Sequence, residues 1–209
     1  MSDMYKLFGP ESTFVKGLTK VGELIFLNML WLLGCLPVVT IGTSTAALYR
    51  CVRLCRTNTG VSLFREFLSA YKANFKKATA LFAILVILSG VVLADVYIAL
   101  QLHSVLGIAG VLGFVALAAL ILMACGYLLP LQARFENTVG QTFKNAWVMA
   151  FVHLPKSLAV MVLNLLPALM LALWPEVFLR CLPLLTFCGG AAIAYVNDWI
   201  LDGVFLKYT

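Results

Sequence analysis

Side chains able to do chemistry are few in this sequence and lie far apart. The two histidines, His103 and His153, fall in different segments, and of the six cysteines Cys51 and Cys55 lie one helical turn apart. A zinc site takes about four ligands, and neither a histidine nor a second cysteine pair is close to these two in sequence. The sequence contains no phosphate-binding loop, HExxH zinc motif or nucleophile elbow. We therefore predict no enzymatic activity, no metal site and no cofactor.

Four polar residues stand out because they lie inside or at the edge of long apolar runs. In lipid a charged group is costly and usually functional. Asp95 is the only acid inside such a run, and Arg180 or His103 is a candidate partner for it near one membrane surface. A proton relay or a substrate contact is the alternative role for Asp95, whereas the two amides are expected to hydrogen-bond across helices. The candidate intramembrane polar residues are Asn28, Asp95, Asn164 and Arg180.

Five apolar runs account for most of the 209 residues. The chain is 63% hydrophobic and 11% charged, with a mean hydropathy of +1.00. An α-helix of about 20 apolar residues spans the hydrocarbon of a bilayer. The sequence thus predicts an all-α membrane protein, a five-transmembrane-helix bundle that forms a single integral membrane domain over residues 1–209. The predicted spans are 24–41, 78–101, 105–130, 157–174 and 181–197.

The net charge of +6 reflects how Lys and Arg are divided between the two membrane faces. With five spans, eleven of the fifteen basic residues fall on one side, in segments 42–77 and 134–156 and in the C-terminal tail, and four fall on the other. Because Lys and Arg accumulate on the cytoplasmic side, the C-terminus is predicted in the cytoplasm and the N-terminus outside. A broken or re-entrant first span, for which Pro37 and Gly42 leave room, would reverse the position of the N-terminus. No nucleic-acid partner is predicted.

Two segments on the predicted cytoplasmic side carry aromatic residues at helical spacing, and four of their positions match at an offset of 76 residues. Residues at i, i+3, i+4 and i+7 share one helical face, so each segment is predicted to form a cytoplasmic amphipathic helix that lies on lipid or docks a partner. Thr138 and Gln141 are placed to form a capping box before the second helix. Each helix leads into a span, which suggests a parallel internal repeat. The candidate partner-surface residues are Phe67, Tyr71, Phe75, Phe143, Trp147 and Phe151.

Several motifs are similar to those of one known family. They are residues 7–12, the stretch 36–49 with its Pro-Val-Val-Thr-Ile-Gly sequence, and the ending that contains Tyr195, Asn197 and Lys207. On these motifs the sequence resembles the YesL family, small bacterial integral membrane proteins of unknown function. The resemblance implies a bacterial plasma-membrane location and an association with carbohydrate ABC importers. It carries over no functional residues, since the family has none agreed.

Two functions remain open from the sequence. The resemblance favours an accessory or regulatory protein that docks on a carbohydrate ABC importer, with the cytoplasmic aromatic segments supplying the contact. The alternative is a small transporter or channel that works as a homo-oligomer, which Asp95 and the prolines within the spans would serve. In both cases the lipid bilayer is the first partner of the chain.

Overall fold

A computed structural model describes residues 12–57, 60–101 and 105–207, and these residues contain helices and turns but no strand. The elements, in order, are α1 (Thr13–Cys35), a 3-10 turn (Val38–Thr40), α2 (Ile41–Arg56), α3 (Leu63–Gln101), α4 (Val105–Arg134), α5 (Val139–Val152), α6 (Leu154–Leu173), α7 (Pro175–Leu184), a π-helical turn (Leu185–Gly189) and α8 (Gly190–Phe205).

Five helices in the described part of the chain are long and apolar enough to cross a membrane. They are α1, α3, α4, α6 and the continuous run from α7 to α8. Their outer faces carry large apolar side chains, such as Ile87 and Leu93, which are exposed and therefore suited to lipid. The all-helical fold and the five long apolar helices agree with the prediction from sequence, and the chain is a multi-pass membrane protein.

Helices α1 and α2 form a tight antiparallel hairpin. The chain turns at Pro37, which is extended (φ −78°, ψ 116°) and has no N–H to continue α1. The Thr40 hydroxyl donates to the Gly34 carbonyl at 2.8 Å and so secures the turn. Further along, the Ser44 hydroxyl donates to the Trp31 carbonyl, and the Cys55 thiol to the Glu23 carboxylate. The spacing of these pairs shows that α2 runs back along α1.

Helix α2 lies in the middle of the bundle, packed against α1, α3, α4 and α8. The sequence prediction had treated residues 42–77 as one connecting segment and the first span as 24–41, whereas the first helix is Thr13–Cys35 and a second helix follows it. The difference has a physical reason. Residues Thr43, Ser44 and Thr45 read as a polar loop, but their hydroxyls each bond to a neighbouring helix or to the turn before.

The two aromatic segments adopt related but unequal structures. The first is the start of the 39-residue helix α3, which continues without a break into an apolar span. The second is a separate helix, α5, which begins with the predicted capping box of Thr138 and Gln141. It ends at His153 (φ −117°, ψ 45°), just before Pro155, which cannot lie within an unbroken helix without losing a backbone hydrogen bond.

Candidate functional site

The candidate site is built on one face of α2. Tyr49, Arg53 and Arg56 follow one another at intervals of four and three residues, so they point to the same side of the helix. That side meets the end of α4 and the second half of α8, and the ion pairs described next hold the three elements together.

At the end of α2 two arginines and two aspartates form a partly buried ion-pair cluster. Arg56 donates from Nε to Asp198 at 2.9 Å and from Nη2 to Asp202 at 2.7 Å. Arg134, at the end of α4, donates to the other oxygen of Asp202 at 2.8 Å. Burial alone lowers the pKa of Arg56, but its hydrogen bonds to Asp202 and Asp198 outweigh burial and raise that pKa. The cluster therefore fixes α2, α4 and α8 to one another with charged groups on both sides.

About two turns deeper in the bundle, an amide network joins three helices. The Asn197 amide nitrogen donates to the Tyr49 hydroxyl at 3.2 Å and to the Asn164 side-chain oxygen at 2.8 Å. Asn197 is fully buried, and its own side-chain oxygen has no hydrogen-bond partner in the structure. A buried acceptor without a partner costs free energy, so such an atom calls for an explanation. Because this oxygen is enclosed by protein and Asn197 lines none of the cavities described next, its cost belongs to the packing of the bundle itself.

A cavity of about 430 Å³, called the central cavity below, lies beside this network. Its volume is within the range of about 300–1,000 Å³ typical of small-molecule sites. Its wall is mostly apolar, with Trp31 and Pro167 among the lining residues, and it carries no charged side chain. The polar lining residues are Thr45, Tyr49, Asn164 and Thr186. Hydroxyl and amide groups in an apolar wall can orient an uncharged polar solute, but they do not compensate a full charge.

Two further cavities meet the first at Tyr49. One, of about 280 Å³, shares Thr45, Tyr49 and Asn164 with it and lies between α3, α4 and α6. The other, of about 270 Å³, has Tyr49 at one end and the charged residues Arg53, Arg134 and Asp198 in its wall. Tyr49 thus lines both an uncharged cavity and a charged one.

The wall of the central cavity includes an irregular segment. Residues Leu185–Gly189 form a π-helical turn between α7 and α8, a geometry that often marks functional sites. Asn28 on α1 supports it, since its amide donates to the Thr186 carbonyl at 2.7 Å and accepts from the Ala191 N–H at 2.9 Å. The two groups would otherwise lie unpaired inside the bundle.

The structure places the four predicted intramembrane residues in different surroundings. Asn164 lines the central cavity, and Asn28 holds its π-helical wall. Asp95 is half-buried in the last turns of α3, and Arg180 is exposed on α7. No ion pair of Asp95 with Arg180 occurs in the described part of the chain, and His103, the other candidate partner, lies outside the described residues.

The six aromatic candidates for a partner surface lie mostly within the protein's own packing. Phe67 is buried. Tyr71, Phe143 and Trp147 are partly buried and pack against clusters of buried apolar residues inside the bundle. In each segment neighbouring rings lie about one helical turn apart, with centroids 6.0–6.2 Å from each other. Phe75 and Phe151, at the end of each series, are exposed.

Sequence reasoning had missed Tyr49, Arg56, Arg134, Asp198 and Asp202 as site residues. One signal was available: Asp198 and Asp202 are spaced i, i+4 at the end of an apolar run, so they share one helical face. Their ion pairs with Arg56 on α2 and Arg134 on α4 join residues far apart in the sequence, and no local sequence pattern predicts them.

Comparison with known proteins adds one match. A family model described as a protein of unknown function, DUF624, matches residues 24–96, which cover most of α1, the whole of α2 and most of α3. The match is consistent with the resemblance drawn from the motifs, although the family name YesL is not part of it. No curated protein and no solved structure matches the chain.

Proposed function

We propose that the protein is a small membrane transporter or channel for an uncharged polar solute. The observation that carries the proposal is the position of Tyr49, which lines three adjoining cavities and contacts the buried Asn197. The proposal assigns no enzymatic reaction to the chain.

The wall of the central cavity has no charged side chain, and this favours an uncharged solute. Thr45, Asn164 and Thr186 offer hydrogen bonds there, and the ion-pair cluster of Arg56 and Asp202 stays at the far side of Tyr49. An ion in such a low-dielectric cavity would need a compensating charge beside it. An uncharged solute with several hydroxyl or amide groups fits this wall better.

We further propose that the α1–α2 hairpin is re-entrant and enters from the cytoplasmic side of a bacterial plasma membrane. Near its tip Gly42 packs on Ala78 and Phe82, and α3 continues for about 28 Å beyond Phe82 at 1.5 Å per residue. The hairpin therefore covers only part of α3. Since α2 returns beside α1, both ends of the hairpin lie at the end of the bundle that holds Arg134.

This topology makes the distribution of Lys and Arg between the two membrane faces more unequal. Lys16 and Lys20 join the side that holds the C-terminus, so thirteen of the fourteen Lys and Arg residues in the described part of the chain lie on one face. Arg180 alone among these fourteen lies on the other. Both described ends of the chain are then cytoplasmic by the positive-inside rule, which replaces the outside N-terminus predicted from five full spans.

Solute entry into reconstituted vesicles tests the proposed activity. Vesicles that carry the protein are placed in hyperosmotic glycerol, xylose, glucose or sucrose, and their recovery of volume is followed by light scattering. We expect faster recovery than in empty vesicles for at least one of these solutes, and a loss of this gain in Asn164→Leu, which removes a hydrogen-bonding group and fills the cavity.

Tyr195→Phe is the matched control, because Tyr195 is half-buried on α8 and lines none of the three cavities. It should leave solute entry unchanged. Recovery no faster than in empty vesicles for all four solutes, or an Asn164→Leu variant as active as wild type, would refute the proposal.

A second proposal, an accessory partner of a carbohydrate ABC importer, is supported by the exposed ends of the aromatic segments. Phe75, Phe151 and Val152 are each more than two-fifths exposed. We also propose the parallel repeat, which is supported by two matched pairs of positions: Ala70 and Ala146 are both buried, and Phe75 and Phe151 are both exposed.

Affinity purification from native membranes tests the accessory role. The pair of substitutions Phe75→Ala and Phe151→Ala should release an importer subunit that co-purifies with wild type. Leu93→Ala is the control, because Leu93 is exposed on the other half of α3. Retention of the subunit by the double variant, or no importer subunit with wild type, would exclude this role.

A further inference from the structure

Arg53 is the one member of the charged group whose guanidinium has no partner in the described part of the chain. Arg56 and Arg134 are held by Asp198 and Asp202, and Arg50 lies 3.6 Å from Glu66. Arg53 is half-buried between them, without a hydrogen bond or an ion pair. Arginine is costly to desolvate, so a half-buried guanidinium ordinarily finds an anion.

The charges around Arg53 do not balance. Three arginines, Arg53, Arg56 and Arg134, share two carboxylates, and those two carboxylates are already engaged by Arg56 and Arg134. Burial lowers the pKa of Arg53 and the positive charge of Arg134 lowers it further, while the nearby charges of Asp198 and Asp202 offset this only in part. These three arginines and two aspartates therefore carry a net charge of +1, and Arg53 is the arginine among them without an ion-pair contact in the described part of the chain.

The uncompensated charge faces a space large enough for a small anion. The cavity of about 270 Å³ at this end of the bundle has Arg50, Arg53 and Arg134 in its wall, together with the polar residue Thr57. Asp198 also lines it, and its carboxylate accepts a hydrogen bond from Arg56. An anion entering the cavity would meet three guanidinium groups and one carboxylate that is already paired with Arg56.

We propose that this cavity binds a phosphate group, with Arg53 as its principal ligand. The planar guanidinium matches phosphate oxygens in pairs, and Arg50 and Arg134 add positive charge around it. The phosphate belongs either to an anionic lipid headgroup or to a small soluble phosphate, since both present the same oxygens. The site shares Tyr49 with the uncharged central cavity, but none of its arginines lines that cavity, so its existence does not depend on the proposed solute transport.

Binding to the purified full-length protein in a neutral detergent tests the site. The probes are sodium phosphate, dioctanoyl phosphatidylglycerol and, as the zwitterionic lipid, dioctanoyl phosphatidylcholine, each titrated by calorimetry and by thermal unfolding. We expect saturable binding of phosphate or of phosphatidylglycerol, with phosphatidylcholine weaker. In Arg53→Gln the affinity should fall at least about tenfold, as expected for the loss of a charge-assisted contact.

The matched control is Arg65→Gln, which removes an exposed arginine of α3 that does not line the cavity and should bind like wild type. Without anion, Arg53→Gln should unfold at the same temperature as wild type or higher, because it loses an uncompensated charge, and this separates lost binding from misfolding. Binding of phosphatidylglycerol alone identifies a lipid site, and binding of both probes identifies a soluble phosphate site. No binding of either, or equal affinity in Arg53→Gln, would overturn the proposal.

Discussion

The side chains of Tyr49 and Asn197 are 148 residues apart in the sequence and form a buried hydrogen bond of 3.2 Å. Tyr49 belongs to α2, the returning leg of the hairpin, and Asn197 to α8. The bond joins α2 to α8 beside the cavity of about 430 Å³. Helices α2 and α8 are therefore hydrogen-bonded to each other beside the candidate solute site.

Removing the Tyr49 hydroxyl should weaken the bundle by a modest amount. Tyr49→Phe deletes one acceptor of the Asn197 amide while the bond from Asn197 to Asn164 remains. Interhelical hydrogen bonds in membranes are worth about 1 kcal/mol, so we expect a loss of that size in the free energy of unfolding. Denaturant unfolding in mixed micelles measures it. If Tyr49→Phe and Asn197→Ala have additive effects in a double-mutant cycle, the two side chains are not coupled.

Removing the charge of Asp202, which pairs with both Arg56 and Arg134, should lower the free energy of unfolding much more. Asp202→Asn leaves Arg134, whose side chain is 5% exposed, without its ion-pair partner and weakens the hold on Arg56. Breaking a buried ion pair from one side costs about 3–5 kcal/mol, and we expect the lower end of that range because Asp202 itself is partly exposed. Thermal unfolding in detergent is the measurement.

Asp95→Asn is the matched control for that substitution. Asp95 makes no ion pair in the described part of the chain, so its neutralisation should leave the unfolding temperature near that of wild type. Equal destabilisation by Asp202→Asn and Asp95→Asn would contradict the conclusion that the ion-pair cluster stabilises the fold.

The hairpin requires a glycine where α2 begins. A methyl group at Gly42 would lie 2.5 Å from Cβ of Phe82 and 2.6 Å from the backbone oxygen of Ala78, and a backbone atom cannot move aside cheaply. Gly42→Ala should therefore destabilise the protein by about 1–3 kcal/mol, the usual cost of overpacking. Gly90→Ala on α3 is the control, since nothing lies within 4 Å of the added methyl. A Gly42→Ala variant as stable as Gly90→Ala would show that the close packing does not exist in the membrane.

The sequence predicted the parts of this fold that local pattern determines. Long apolar runs gave the spanning helices, and Thr138 with Gln141 predicted the start of α5, because both signals act over a few residues. Helix α2 could not be recognised, since it is short, has hydroxyl residues where lipid-facing helices have aliphatic ones, and is buried against protein instead. The ion pairs of Arg56 depend on contacts 142 residues away, which no local spacing encodes.

Labelling with a membrane-impermeant maleimide distinguishes the re-entrant hairpin from a full first span. Single cysteines replace Lys16, Arg180 and Lys207 in a chain whose own six cysteines have been removed. In right-side-out vesicles we expect Arg180→Cys to react and the other two to be protected until the membrane is permeabilised, because α2 brings the chain back beside α1. Reaction of Lys16→Cys together with Arg180→Cys would establish five full crossings instead.

Blocking the cavity at Thr45 tests the transport proposal most directly. Thr45 lines two of the three cavities that Tyr49 lines, so a maleimide attached to Thr45→Cys would fill the space where the solute is proposed to pass. Solute entry into reconstituted vesicles is measured before and after labelling, with Leu93→Cys on the lipid-facing surface as the control. The account predicts that labelling stops solute entry for Thr45→Cys and leaves it unchanged for Leu93→Cys. Undiminished entry through fully labelled Thr45→Cys would contradict it.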